Sequence, residues 1–167
     1  MPQFATHASF LLELPSDITD KVIQALTLFK LPKHQFECQI KPLNCPIFKV
    51  ASFCQTNFEN YNPNKPELEF FYQKHKDGLW LSHKDSININ DAAFLCFIVL
   101  ETWNLDTFVV INCSHTSDCK SLNGYGGRTI VVTKFKIEEF RVHKWVNQKR
   151  IAHNKIIQAT KDLNHAT

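Results

Sequence analysis

The sequence predicts an α+β domain, with a mainly antiparallel sheet and two or three helices. Three observations lead there. Apolar–polar alternation or β-branched runs recur at 68–73, 79–82, 108–113 and 129–133, each bounded by turn-forming residues. Two other segments, 18–29 and 92–100, carry apolar residues in helical patterns. The elements follow one another as strand, helix, irregular segment, hairpin, helix, strands and terminal helix, without a repeat or an interdomain linker. A split β-α-β, ferredoxin-like arrangement is the economical solution for that order, with residues 1–167 forming one domain.

The elements justify themselves in turn. Ala8 to Leu14 has the character of a first strand. Ser16 is placed to cap a helix, with Asp17 and Asp20 at the positive end of its dipole. Ile18, Val22, Ala25, Leu26 and Phe29 form its apolar stripe, and Pro32 ends it. From 31 to 66 the chain reads as irregular, because five of the seven prolines lie there; short strands are expected near 36–40 and 48–53. Lys76-Asp77-Gly78 turns the chain between the strands at 68–73 and 79–82. Asn88 or Asn90 caps a second helix running to Trp103. Its run from Ala92 to Leu100 has almost no polar face, so it needs cover on most sides, from the sheet and from another layer or subunit. Strands follow at 108–113, 129–133 and 137–142, and a final helix starts near His143 and reaches about Lys161.

Composition narrows the function classes. The longest apolar run, 92–100, is far short of the roughly 20 residues a membrane span requires. No basic segment precedes the short apolar run at 10–14, so no signal peptide is expected. The six cysteines are therefore expected as thiols in a cytoplasmic protein. The net charge of +3 permits a nucleic-acid partner without arguing for one.

The most unusual stretch runs from Asn112 to Gly127. It holds Cys113, His115, Cys119 and three of the four glycines, Gly124, Gly126 and Gly127. Such a concentration of glycine marks backbone conformations that other residues resist, and positive φ is expected at one of the three. A loop of this length between strands is a candidate binding site, with Asn123, Tyr125 and Arg128 beside the cysteines, histidine and glycines already named; the simpler reading is a wide turn. The Gly-Lys-Ser/Thr ending of a phosphate-binding loop is missing. Cys113, His115 and Cys119 could ligate zinc, with Cys45, Cys54 or His83 as a fourth ligand, although the paired Cys-x2-Cys spacing of zinc ribbons is absent. A thiol enzyme would need a base beside Cys113 or Cys119, and no nucleophile signature is present. No other cofactor is implied.

The C-terminal segment is basic. Lys144, Lys149, Arg150 and Lys155 are candidate nucleic-acid contacts, although such a run is first of all a solvated helix face. Trp145, Val146, Ile151 and Ile156 or Ile157 are expected to form that helix's buried stripe.

Gly78-Leu-Trp-Leu-Ser, the apolar helix, Cys119, Gly124-Tyr-Gly-Gly-Arg-Thr-Ile-Val-Val-Thr133 and Trp145 together resemble an uncharacterised bacterial family found among phage, plasmid and other mobile-element genes. The resemblance covers about the C-terminal half. Asp118-Cys119-Lys120 departs from the family's Thr-Cys-Ser-like segment, and Arg128 stands where the family has a third glycine. It implies no known activity, but it adds weight to the cysteine–glycine loop.

The resulting expectation is a small non-enzymatic interaction protein of bacterial or mobile-element origin. Its partner is another protein or a second copy of itself, with no membrane. The alternatives are a Cys/His metal-binding or thiol-active domain at 113–127, and a nucleic-acid-binding accessory protein using the basic helix.

Overall fold

A computed structural model describes residues 4–38, 45–83, 86–117 and 126–165. The fold is α+β, and its strands form two antiparallel sheets rather than one ferredoxin-like sheet. Strands β1 (Phe4–His7), β5 (Phe108–Ser117), β6 (Gly126–Thr133) and β7 (Ile137–Arg141) make a four-stranded sheet in the order β1-β5-β6-β7. Strands β2 (Ser9–Glu13), β4 (Gly78–Ser82) and β3 (Phe71–His75) make a three-stranded sheet in the order β2-β4-β3. The strand expected at Ala8 to Leu14 is β2, and an unexpected strand, β1, precedes it in the other sheet, with Ala8 carrying the chain from one sheet to the other.

The helices are α1 (Ser16–Phe29), α2 (Lys33–Cys38), α3 (Pro46–Asn57), α4 (Ile89–Thr102) and α5 (Val142–His165). Helices α2 and α3 replace the short strands expected in the proline-rich segment. Proline there marks helix starts instead of breaks: Pro32 precedes α2, and Pro46 occupies the first turn of α3, where its missing N–H costs nothing. Val50, Ala51 and Cys54 then bury one face of α3 against α1 and α4. Ser16 is not the cap of α1. Pro15 holds that position without a side-chain hydrogen bond, and the Thr19 hydroxyl donates to the Pro15 carbonyl at 3.0 Å. Asn88 does cap α4, its side-chain oxygen accepting from the backbone N–H groups of Asn90 (3.1 Å) and Asp91 (3.2 Å).

The apolar helix α4 finds its cover within the chain. Helix α3 packs on one part of it and strands β5 and β6 on another, burying Ala92, Leu95, Cys96, Val99 and Leu100 completely or nearly so. The phenylalanines are also used internally. Phe29, Phe58 and Phe70 form a chain of ring contacts with centroids 5.2 and 6.0 Å apart, and Phe53 lies between Phe94 and Phe97. Neither the bare helix nor the phenylalanine content therefore requires a second subunit.

One tight turn joins β3 to β4 in the three-stranded sheet. At Gly78 φ is +144°, and a Cβ there would run into the Leu12 carbonyl oxygen and come within 2.7 Å of the Leu14 nitrogen. The strongest demand for glycine among the described residues is thus at this isolated position, outside the glycine cluster.

Candidate functional site

Strands β5 and β6 are long because the segment following Ile111 keeps small and β-compatible residues. Pairing continues through Cys113↔Arg128, Ser114↔Gly127 and His115↔Gly126, well beyond the expected ends at 113 and 129. Gly126 and Gly127 are therefore strand residues. Gly127 has no positive φ, and a Cβ on it would meet the Cys113 carbonyl oxygen at 3.2 Å. Cys119, Asn123, Gly124 and Tyr125 lie outside the described residues, as does the side chain of His115. Cys113 is buried, and its thiol donates to the Arg128 carbonyl oxygen at 3.2 Å. Among the described residues no three His, Cys, Asp or Glu side chains gather as a metal-binding group. Cys54, a suggested fourth zinc ligand, is a core residue of α3 whose thiol is pushed far up by burial.

Arg128 sits on the inner face of the four-stranded sheet. Its Nη1 donates to Glu139 Oε1 at 2.8 Å and its Nη2 to Asn90 Oδ1 at 3.1 Å, while Nε is buried with no partner among the described residues. Arg141 Nε donates to the same Glu139 oxygen at 2.7 Å. These two arginines, Arg141 foremost, hold the Glu139 carboxyl down near 2. Arg128 thus ties β6 and β7 to the start of α4, which gives this loop candidate a structural role.

A polar groove of about 880 Å³ opens beside the start of α4, between the 59–69 segment and His83. Asn90 donates to Glu59 at 2.7 Å, and Asn60 and Asn88 donate to Glu69 at 2.8 and 3.0 Å. Beneath them Asp91, 2% exposed, accepts from the Glu59 N–H at 3.1 Å. Burial, with Glu59 and Glu69 nearby, pushes the Asp91 carboxyl up to about 6. The asparagines close this network by capping carboxylates, and sequence spacing gives no sign of it, since its members come from three distant segments.

Helix α5 is different in kind. Every residue of 142–154 whose exposure is described is exposed, so Trp145, Val146 and Ile151 of the expected buried stripe are not buried, and the side chains of Ile156 and Ile157 lie outside the described residues. At 100° per residue, Val142, Trp145 and Val146 share one face, while Ile151 falls on the opposite side, because nine residues make two and a half turns. Lys149 joins the apolar face, its ammonium 5.7 Å from the Trp145 ring centroid. The sequence continues this face with Ala152, Ile156, Ala159 and Leu163, which puts Val142, Lys149, Ile156 and Leu163 at seven-residue intervals. Lys144 and Arg150 are exposed on the other side. The side chain of Lys155 lies outside the described residues.

No family model, curated protein or solved structure matches this chain. Function must therefore be argued from the surfaces just described. No helix among the described residues is long and apolar enough to cross a membrane.

Proposed function

We propose that this protein is a non-enzymatic interaction protein that associates with a second copy of itself through the apolar face of α5, and that it has the bacterial or mobile-element origin its sequence resemblance suggests. The observation carrying this reading is the exposure of Val142, Trp145 and Val146, at 50, 48 and 41%, on one face of a 24-residue helix whose described side chains, within 142–154, are all exposed. An isolated helix gains little from propensity alone and needs its apolar face buried to persist. Heptad spacing over three repeats suits a like helix as the partner, each residue of the seam inserting between residues of the other. The outer face of the four-stranded sheet adds further exposed apolar surface at Phe108, Val110 and Phe140.

The pairing has an electrostatic cost. Helix α5 carries Lys144, Lys149, Arg150, Lys155 and Lys161 against Asp162 alone, so two such helices repel. Added salt screens that repulsion and strengthens the dimer. Light scattering across a concentration series tests the reading. Mass should rise from monomer towards dimer, more readily in high salt, and Trp145→Lys should hold the chain monomeric without unfolding it. A wild-type chain that stays monomeric at every concentration and salt would contradict it.

A further inference from the structure

The basic face of α5 lies opposite the apolar stripe. Lys144 and Lys155 are eleven residues apart, close to three full turns, so they lie in one row; Arg150 and Lys161 form a second row by the same spacing. Within each row the two Cα positions are about 16 Å apart along the axis. Between the rows stand Asn147, Ile151, Asn154 and Gln158, and the side chains of Lys144, Asn147, Arg150, Ile151 and Asn154 are exposed. The charge is also segregated. The helix has five cations and one anion, a net of +4, whereas the whole chain nets +3, so the other 143 residues together net −1. The near-neutral body thus presents one strongly basic helix.

We infer that this face of α5 binds the phosphate backbone of a nucleic-acid duplex. The charge is complementary to phosphate, and a helix with its side chains matches a DNA major groove about 12 Å wide. Two rows of cations flanking a band of three amide residues and Ile151 suit backbone neutralisation on either side, with hydrogen-bonding side chains between. A lipid surface is the less fitting occupant, because an interfacial helix must bury its apolar face in the bilayer boundary, and here that face is assigned to the second copy. The inference rests in part on that assignment.

The test is fluorescence anisotropy of the full chain with a labelled mixed-sequence duplex, alongside co-sedimentation with vesicles of phosphatidylcholine and phosphatidylglycerol. Four phosphate contacts predict a log–log salt slope near −3.6, so affinity should fall roughly 100-fold between 50 and 200 mM salt. The quadruple variant Lys144→Gln/Arg150→Gln/Lys155→Gln/Lys161→Gln should weaken duplex binding at least tenfold and flatten the slope, while its unfolding transition stays unchanged. Absence of duplex binding at low salt, duplex binding equal in the quadruple variant, or binding to the vesicles alone would overturn the inference. The two proposals fail separately. Duplex binding weakens with salt while self-association strengthens, and a chain that binds duplex as a monomer would retain this inference and remove the dimer.

Discussion

Replacing Gly78 by alanine should be among the most damaging small substitutions in this protein. Its φ of +144° lies where residues with a Cβ are strongly disfavoured. That conformation alone costs on the order of 1–3 kcal/mol. The added methyl would also press on the Leu12 carbonyl and the Leu14 nitrogen, both backbone atoms of the paired strand region, where Glu13 lies opposite Gly78. Neither can move without disturbing the β2–β4 pairing. A loss of at least about 2 kcal/mol is expected, out of a total of roughly 5–15 kcal/mol for a domain of this kind. Urea unfolding followed by circular dichroism would measure it as a lowered midpoint with an unchanged slope. Gly127→Ala is the control. That glycine is in a strand without positive φ, and its Cβ would meet one carbonyl oxygen at 3.2 Å, so the change should stay within about 1 kcal/mol of wild type. A Gly78→Ala protein as stable as wild type, or a Gly127→Ala protein equally damaged, would refute this assignment of backbone strain.

The Asp91 carboxyl, near 6 when folded, lies above its unfolded value, so the native state holds the extra proton; the contribution of this group to stability is fully present below about pH 4 and is lost as pH rises through 6. Asp91→Asn removes that titration and keeps an acceptor for the Glu59 N–H, so it should stabilise at pH 7–8 by roughly 1–2 kcal/mol, with the gain vanishing near pH 4 in denaturant titrations. Arg128→Met should cost about 1–2 kcal/mol by leaving Asn90 without its donor and Glu139 with Arg141 alone; equal stability would deny Arg128 its structural role. In the native protein Cys45 should react with a thiol reagent while the buried Cys54 and Cys96 stay protected until unfolding, and metal analysis should show whether Cys119→Ser releases zinc, as the alternative reading of the loop requires.

The local signals legible in the sequence were those with a short-range cause. Asn88 could be read as a cap because its side chain serves amides two and three residues on, and Asp77-Gly78 because a hairpin turn is local. The α3 segment was misleading because Pro46 and the nearby prolines suggest irregular chain, whereas the burial of Val50, Ala51 and Cys54 against α1 and α4 decides for helix. The two-sheet arrangement was not legible, since it turns on Ala8 passing between sheets whose strands are paired over long separations. At the candidate sites, Cys113 and Arg128 stand out in the sequence beside the glycine cluster, but the Arg128 partners Asn90 and Glu139 come from other elements. Trp145 and Val146 were expected in a stripe of α5, but Ile151, expected with them, falls opposite; that the described part of the stripe would remain exposed depends on where β7 leaves the sheet, which spacing does not encode.

Amide hydrogen exchange along α5, compared at low and high protein concentration, tests self-association most directly. A lone helix with an uncovered apolar face opens readily, whereas a paired one is protected. The account predicts that amides from Trp145 onward exchange more slowly as concentration rises, while the already buried α4 is unchanged. Exchange in α5 that is independent of concentration would contradict it.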